Sequence, residues 1–376
     1  ARPGPAAPAP PPATPPPPAK PVLTERQKQA ALALAKGIVA EQQGRLKAAH
    51  RLLSRALRLG LPTARQKFEA YLHRGKIRLL LRQRTGALSD LSLAIRLSPR
   101  SASAHYYRGH AYYDMRLYRQ AMAEYSRAVR LNPRMAEAYI GRGMAHQDMG
   151  QYQSAVADYT RAIRLRPRNA SGYNLRGMSY LSLRRYPEAR RNFDAALRLK
   201  PGNPHILGNR GLVFYRLHQY QRALQDYNQA LAKSPNEPVV RNNRGLVFLA
   251  LRRFGEAISD FTRAIRRNPH DPISHLNRGD ARLLTGQYRA AIDDYTRALS
   301  LLPGGGELSL ARVAGYRRSG RRGDAGGSRI SRNVVFYNVR RARITAYKHR
   351  AVAFQRLGIP DRARADMERA RRLEGL

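Results

Sequence analysis

Proline recurs every 34 residues, at Pro99, Pro133, Pro167, Pro201, Pro235, Pro269 and Pro303. Glycine keeps the same interval at Gly75, Gly109, Gly143, Gly177, Gly211, Gly245 and Gly279, each directly after an arginine: Arg74, Arg108, Arg142, Arg176, Arg210, Arg244 and Arg278. Two alanine columns share it, running from Ala87 to Ala291 and from Ala94 to Ala298. A period held in several independent columns confines the chain to a repeat architecture in which each unit packs on its neighbours. Met122, Tyr125 and Val129 lie three or four residues apart and mark one buried helical stripe. One unit therefore reads as two antiparallel helices, about 102–115 and about 118–131. Gly109 and Ala128 are small enough for those helices to cross closely, and Ala121 serves the next unit in the same way. Aromatic columns, from Tyr118 and Tyr125 to Tyr288 and Tyr295, wedge between helices as core. The proline stops the second helix and redirects the chain.

With these offsets, YYRGHAYYDMRLYRQAMAEYSRAVRLNP (106–133) resembles the tetratricopeptide repeat. One column departs from that pattern: arginine precedes the glycine where leucine is usual. Gly37, Ala49 and Ala56 extend the offsets to a first unit at 30–63, followed by a four-residue insertion, and Ala351, Ala363 and Ala370 extend them to a last one. The resemblance implies an all-α fold, a right-handed α-solenoid of about nine helix pairs. Residues 1–23 are expected to be a disordered proline-rich tether. Residues 24–303 hold eight tandem repeats, opened by a Thr24–Gln27 capping box. Residues 304–343 form a Gly/Arg-rich, partly disordered insertion, with a short helix near 307–317 and, at 333–344, a forward extension of the last first-helix or, as the alternative, a strand. Residues 344–376 form a terminal pair whose charged face suits a solvent-facing cap.

Composition limits function. The 376 residues carry 70 Lys+Arg against 25 Asp+Glu, a net charge of +45. Such a field favours anionic partners: nucleic acid, an acidic membrane surface or acidic proteins. Arginine over lysine suits bidentate phosphate or carboxylate contact, or follows from a GC-rich gene, which would not by itself require so few acids. The absence of cysteine excludes disulfides, thiol catalysis and Cys-ligated metals. No apolar run is long enough to span a membrane. The ten histidines show no ligand spacing, so neither metal nor cofactor is expected. The first residue is Ala1 rather than Met, which is expected from a removed targeting peptide. A periplasmic or secreted location follows as an expectation, with a cytoplasmic or organellar one as the alternative.

No catalytic constellation stands out, and a non-enzymatic scaffold is expected. Asp90, Glu124, Asp158, Asp226, Asp260 and Asp294 form an acidic column with Asn192 in its gap. In several repeats it stands three residues before an arginine (Arg127, Arg161, Arg263, Arg297), as expected of ion pairs along one helix. Carboxylate partners on neighbouring helices are also open to the column Arg74 to Arg278. The family resemblance places Asn209, Asn243 and Asn277 on a concave groove, beside Tyr106, His110, Met144, Met178, Leu212 and Leu246. Amides there can donate to and accept from an extended peptide, or can bond across repeats. The family's Lys/Asn/Arg carboxylate clamp does not map onto this chain. Arg127, Arg130, Arg161 and Arg164 on the second helices, with Arg317, Arg318, Arg321 and Arg322 in the insertion, are the candidate contacts to nucleic acid or another polyanion. A protein partner in the groove is the first expectation. An RNA- or ribosome-associated factor is the alternative. The oligomeric state is left open.

Overall fold

The computed structural model describes residues 23–302, 310–312 and 336–375. The expected tether, apart from its last residue, and the arginine cluster Arg317 to Arg322 lie outside them. The fold is all-α, an α-solenoid of antiparallel helix pairs, and it divides into two compact units, 1–132 and 133–376.

The first unit holds three pairs: α1 (Glu25–Gln42) with α2 (Leu46–Leu59), α3 (Ala64–Leu80) with α4 (Arg84–Leu97), and α5 (Ala102–Asp114) with α6 (Tyr118–Leu131). The second holds α7 (Ala136–Asp148) with α8 (Tyr152–Leu165), α9 (Ala170–Ser182) with α10 (Tyr186–Leu199), and α11 (Pro204–Arg216) with α12 (Tyr220–Lys233). It continues with α13 (Pro238–Ala250) and α14 (Phe254–Arg267), then α15 (Pro272–Leu284) and α16 (Tyr288–Leu301). Strands β1 (Leu310–Arg312) and β2 (Phe336–Asn338) pair antiparallel, and α17 (Val339–Arg356) with α18 (Pro360–Gly375) closes the chain. One expectation is corrected here: residues 310–312 are strand where a short helix was expected. Within 333–344, residues 336–338 take the strand alternative and the helix begins at Val339.

Local chemistry sets the helix ends. Thr24 accepts from Gln27 N while Gln27 Oε1 accepts from Thr24 N, a reciprocal cap that satisfies two end groups. Thr63, Ser101, Asn169, Asn203 and Asp271 cap later first-helices through their side-chain oxygens. The glycine column sets how closely the helices approach. A Cβ on Gly245 would lie 2.6 Å from Phe261 Cε1, and one on Gly143 2.7 Å from Tyr159 Cε1. The rings of Tyr125, Tyr159, Phe193, Tyr227, Phe261 and Tyr295 lie on this column and are fully buried. Each stabilises its pair by about 1.5–3 kcal/mol through burial.

The acidic column is not paired along its own helix. Arg244 donates from Nε and Nη2 to both oxygens of Asp260, at 2.6 and 2.8 Å, from 16 residues upstream on the facing helix. The same fork joins Arg74 to Asp90, Arg108 to Glu124, Arg142 to Asp158, Arg210 to Asp226, Arg278 to Asp294 and Arg350 to Asp366. The remaining Nη1 reaches the second helix of the preceding pair: Ser92 from Arg108, Thr160 from Arg176, Asp194 from Arg210, Asn228 from Arg244 and Thr262 from Arg278. One guanidinium thus ties three helices, which explains arginine in a column where leucine was anticipated. The expected pairs from Glu124, Asp158, Asp260 and Asp294 to the arginines three residues on are absent among the described residues. Those carboxylates are buried while Arg127, Arg161, Arg263 and Arg297 are exposed, and a buried carboxylate needs a planar two-donor partner. Asp366 alone also meets its following Arg369, at 2.9 Å.

Burial by itself would raise the Asp294 carboxyl. Hydrogen bonds from His275 and Arg278, with the charges of Arg278 and Arg282, outweigh it and hold the group below its ordinary value. Glu124 is likewise held low against burial, by Arg108 and His105.

The repeat resumes beyond the insertion. Arg350 Nη1 donates to Thr296 Oγ1 at 2.9 Å across 54 residues, the contact that elsewhere spans 16. Ala346 joins the core formed by Leu276, Ala291, Tyr295 and Ala298. His349 Nδ1 lies 2.7 Å from Asp280 Oδ1, which also accepts from Tyr295 OH at 2.8 Å.

Candidate functional site

In the second unit, Met144, Met178, Leu212 and Leu246 are half-buried on successive first-helices. Residues three further on share their face: Gln147, Leu181, Tyr215 and Leu249. Three residues before them stand Gly141, Leu175, Asn209 and Asn243. Across α7, α9, α11 and α13 these three columns contain no charged residue, in a chain of net charge +45. On α15 the columns continue as Asn277, Asp280 and Leu283. Next to Leu283, Leu284 is 61 % exposed, and Val352 on α17 is 41 % exposed. The column of Leu181, Leu249 and Leu283 went unnoticed in the sequence, although its 34-residue register, with Tyr215 between the first two, was readable.

The three asparagines differ from one another. Asn209 Nδ2 donates to Asn174 Oδ1 at 3.0 Å, and Asn277 Nδ2 to Asn242 Oδ1 at 3.0 Å, each 35 residues upstream in the preceding repeat. Ser274 Oγ adds a bond to Asn242 at 3.3 Å. The position 35 residues before Asn243 is Gly208, which has no side-chain acceptor to offer. Asn209 and Asn243 are buried and Asn277 is half-buried. Asn174 and Asn242 were missed in the sequence because Gly208 interrupts their column.

In the first unit, Tyr106 and His110 stand half-buried on α5. The Tyr106 ring packs on Tyr107 with centroids 5.0 Å apart and on Tyr125 at 5.9 Å.

The candidate polyanion contacts Arg127 and Arg130 on α6, and Arg161 and Arg164 on α8, are exposed and form no salt bridge among the described residues. Structure adds a second set of arginines. The turn joining the helices of a pair places one residue in the left-handed region. That residue is Arg82 (φ 62°), Arg116 (φ 63°), Arg184 (φ 58°), His218 (φ 57°) or Arg252 (φ 56°), all exposed, whereas Gly150 and Gly286 take the position elsewhere. A side chain costs roughly 1–2 kcal/mol there relative to glycine.

Two of the histidines that rest on carboxylates are buried. His105 Nδ1 lies 2.8 Å from Glu124, and His275 Nδ1 lies 3.4 Å from Asp294. Their other nitrogens contact the carbonyls of Pro99 and Pro269, at 3.1 and 3.3 Å. Both side chains are buried and tie a helix to the proline that ends the preceding repeat. Among the described residues no group of three or more acidic or histidine side chains could hold a metal. No helix among them is long and apolar enough to cross a membrane.

A tetratricopeptide repeat family model matches residues 34–102, 75–136, 106–170, 141–204, 174–238 and 242–306. No curated protein matches the chain. Among solved structures, the chain is similar to the Cut9–Hcn1 hetero-tetramer of the APC/C, with TM-score 0.54 and 19 % identity over 75 % of this chain and 55 % of that one. It is also similar to a tetratricopeptide repeat protein from Parabacteroides merdae (TM-score 0.55, 16 % identity, 64 % of this chain and 94 % of that one). A third is pilF of Pseudomonas aeruginosa (TM-score 0.50, 19 % identity, 56 % of this chain and 96 % of that one). The chain spans little more than half the length of the first of these. At these identities the likeness is one of fold.

Proposed function

The chain belongs to the tetratricopeptide repeat family, a fold of protein-interaction scaffolds, and we propose that it is a non-enzymatic scaffold holding an extended, uncharged, apolar protein segment along the first-helix face of its second unit. The observation that carries this reading is the charge-free strip over α7, α9, α11 and α13. In a chain of net charge +45 this strip offers no cation, so an acidic segment would leave its carboxylates unpaired there. An apolar segment would bury its side chains against Leu212, Leu246, Leu249 and Leu283. The Asn243 amide, with no side-chain acceptor 35 residues upstream, can donate to and accept from its backbone.

The test is binding of a peptide panel graded in charge and apolarity, read by fluorescence polarisation. Apolar, neutral peptides should bind, with affinity nearly independent of salt, since no ion pair forms. Leu246→Lys should abolish binding, and Asn243→Ala should weaken it without unfolding the array. Preference for acidic peptides, or indifference to both substitutions, would overturn the reading.

A second role, within each unit by itself, is favoured by the left-handed arginines. Four turns keep an exposed arginine where glycine would be unstrained. We assign these arginines, with Arg127, Arg130, Arg161 and Arg164, to anionic partners. Affinity for heparin or RNA should fall steeply with salt. Binding that ignores salt would remove this assignment.

A further inference from the structure

A single carboxylate interrupts the apolar first-helix face of the second unit. The column Met144, Met178, Leu212 and Leu246 continues as Asp280 on α15. It resumes as Val352 on α17, which follows Arg350 by two residues as Asp280 follows Arg278. Apolar side chains therefore stand on both sides of Asp280, Leu246 and Leu249 before it, Leu283, Leu284 and Val352 after it. The Asp280 side chain keeps 26 % exposure. Tyr295 OH and His349 Nδ1 both lie on its Oδ1, at 2.8 and 2.7 Å, and its Oδ2 accepts no hydrogen bond among the described residues.

Holding the tyrosine does not require an acid. Tyr159 OH, in the same column as Tyr295, donates to the neutral Gln147 Oε1 at 3.1 Å, and Tyr227 OH is buried with no partner among the described residues. Local cations do not claim Asp280 either. Within four residues of Asp280 and His349 they are Arg278, Arg282, Lys348 and Arg350. The first two donate to Asp294, the third to Glu374 and the last to Asp366, at 2.6–2.8 Å.

Taking the strip as the peptide site proposed above, we propose that its ligand carries one lysine or arginine at the α15 end of its apolar run, placed to meet Asp280 Oδ2. An uncharged segment that ran on past α13 would cover this oxygen and leave it desolvated without a donor. A cation supplies both the donor and the opposite charge. It also lets the apolar run reach Leu283, Leu284 and Val352. Packed helices lie about 8–10 Å apart, and an extended chain advances about 3.3 Å per residue. The cation therefore stands about three residues from the side chain that rests on Leu246.

The probes are a capped, neutral, apolar peptide of about ten residues, long enough to cross α9 to α15 when extended, and variants with one lysine moved stepwise along it. Binding to the full chain is read by fluorescence polarisation at about pH 7.5, where lysine and aspartate are both charged. Lysine should tighten binding about fivefold at one position or two adjacent ones, the worth of a part-buried ion pair. Glutamate there should weaken it. The lysine gain should shrink as salt rises from about 0.05 to 0.5 M, while the neutral peptide's affinity holds. Asp280→Asn keeps an oxygen for Tyr295 and His349, and should erase the gain without weakening the neutral peptide. His349→Gln disturbs the contact to α17 but spares the carboxylate, and should preserve the gain. A neutral peptide that binds without gaining from lysine at any position, or that gains equally in Asp280→Asn, would overturn this proposal and leave the strip as the peptide site. Loss of the gain in both variants alike would make Asp280 a purely structural residue and overturn it too. Failure of every peptide to bind would remove the strip itself as a site, and the cation with it.

Discussion

Asn192→Asp should stabilise the second unit, because position 192 is the one internal repeat whose buried arginine lacks a carboxylate. Arg176 donates from Nε to Asn192 Oδ1 at 2.8 Å and from Nη1 to Thr160 Oγ1 at 3.0 Å. The second bond of the fork, present in the flanking repeats as Arg142–Asp158 and Arg210–Asp226, is missing. Burial holds the Arg176 guanidinium below its ordinary value, whereas the hydrogen bond to Asp158 raises Arg142. A carboxylate at 192 adds a charge-assisted bond of about 1.5–3 kcal/mol. Against this stands the lost bond from Asn192 Nδ2 to Glu188 O, at 2.8 Å, which is worth about 1 kcal/mol. The net gain should be about 1 kcal/mol, a rise in Tm of roughly 2–4 °C for a unit of this size. Repeat arrays do not melt as one cooperative block, so hydrogen exchange at the amides of α9 and α10 is the sharper assay. The sign with pH follows from the pair: the new bond needs an ionised carboxyl, which the guanidinium favours and burial opposes, and these two set its folded-state pKa. The gain is thus present at neutral pH and disappears as pH falls through that folded value. A variant no more protected than the parent at pH 7, or a gain that persists at pH 2, would refute the argument. Asp260→Asn is the mirror test and should lose about 2 kcal/mol.

Gly245→Ala places a Cβ 2.6 Å from the fully buried Phe261 ring. It should lower stability by about 1–3 kcal/mol in a denaturant melt. The bond to Asp280 raises His349 above the ordinary histidine value against burial. Docking of α17 and α18 should therefore be strongest below about pH 6.5 and weaken as pH rises through the folded value. Exchange rates on α17 should show this, and His349→Ala should remove the pH dependence. Arg252→Gly should raise stability by about 1 kcal/mol by releasing the left-handed strain while weakening heparin binding. A loss of stability would mean that the arginine side chain packs against its own turn.

The helix pairs could be read from the sequence because the residues that report them act at short range. A glycine or alanine every 34 residues marks where two backbones cross, and a proline marks where a helix must stop. Those roles are steric and survive without knowledge of what lies opposite. Partner choice did not come through in the same way. Glu124 and Arg127 are three apart and look like a helical ion pair, yet Glu124 turns inward to Arg108 on the facing helix. The asparagine column was visible, but not that Asn209 and Asn277 would each bond 35 residues upstream, where Asn243 has only a glycine.

The period and its small-residue columns alone determined the family, the helix pairs and the core aromatics of this chain. Tertiary structure decided which charges are buried together and how the last pair docks across the insertion, where Arg350 finds Thr296. It also decided that Leu32 and Val39, set in columns that are buried elsewhere, face outward. Sequence pattern records which face a residue occupies on its own helix. Whether another helix covers that face, and which side chain waits there, depends on chain segments that only the folded molecule brings together.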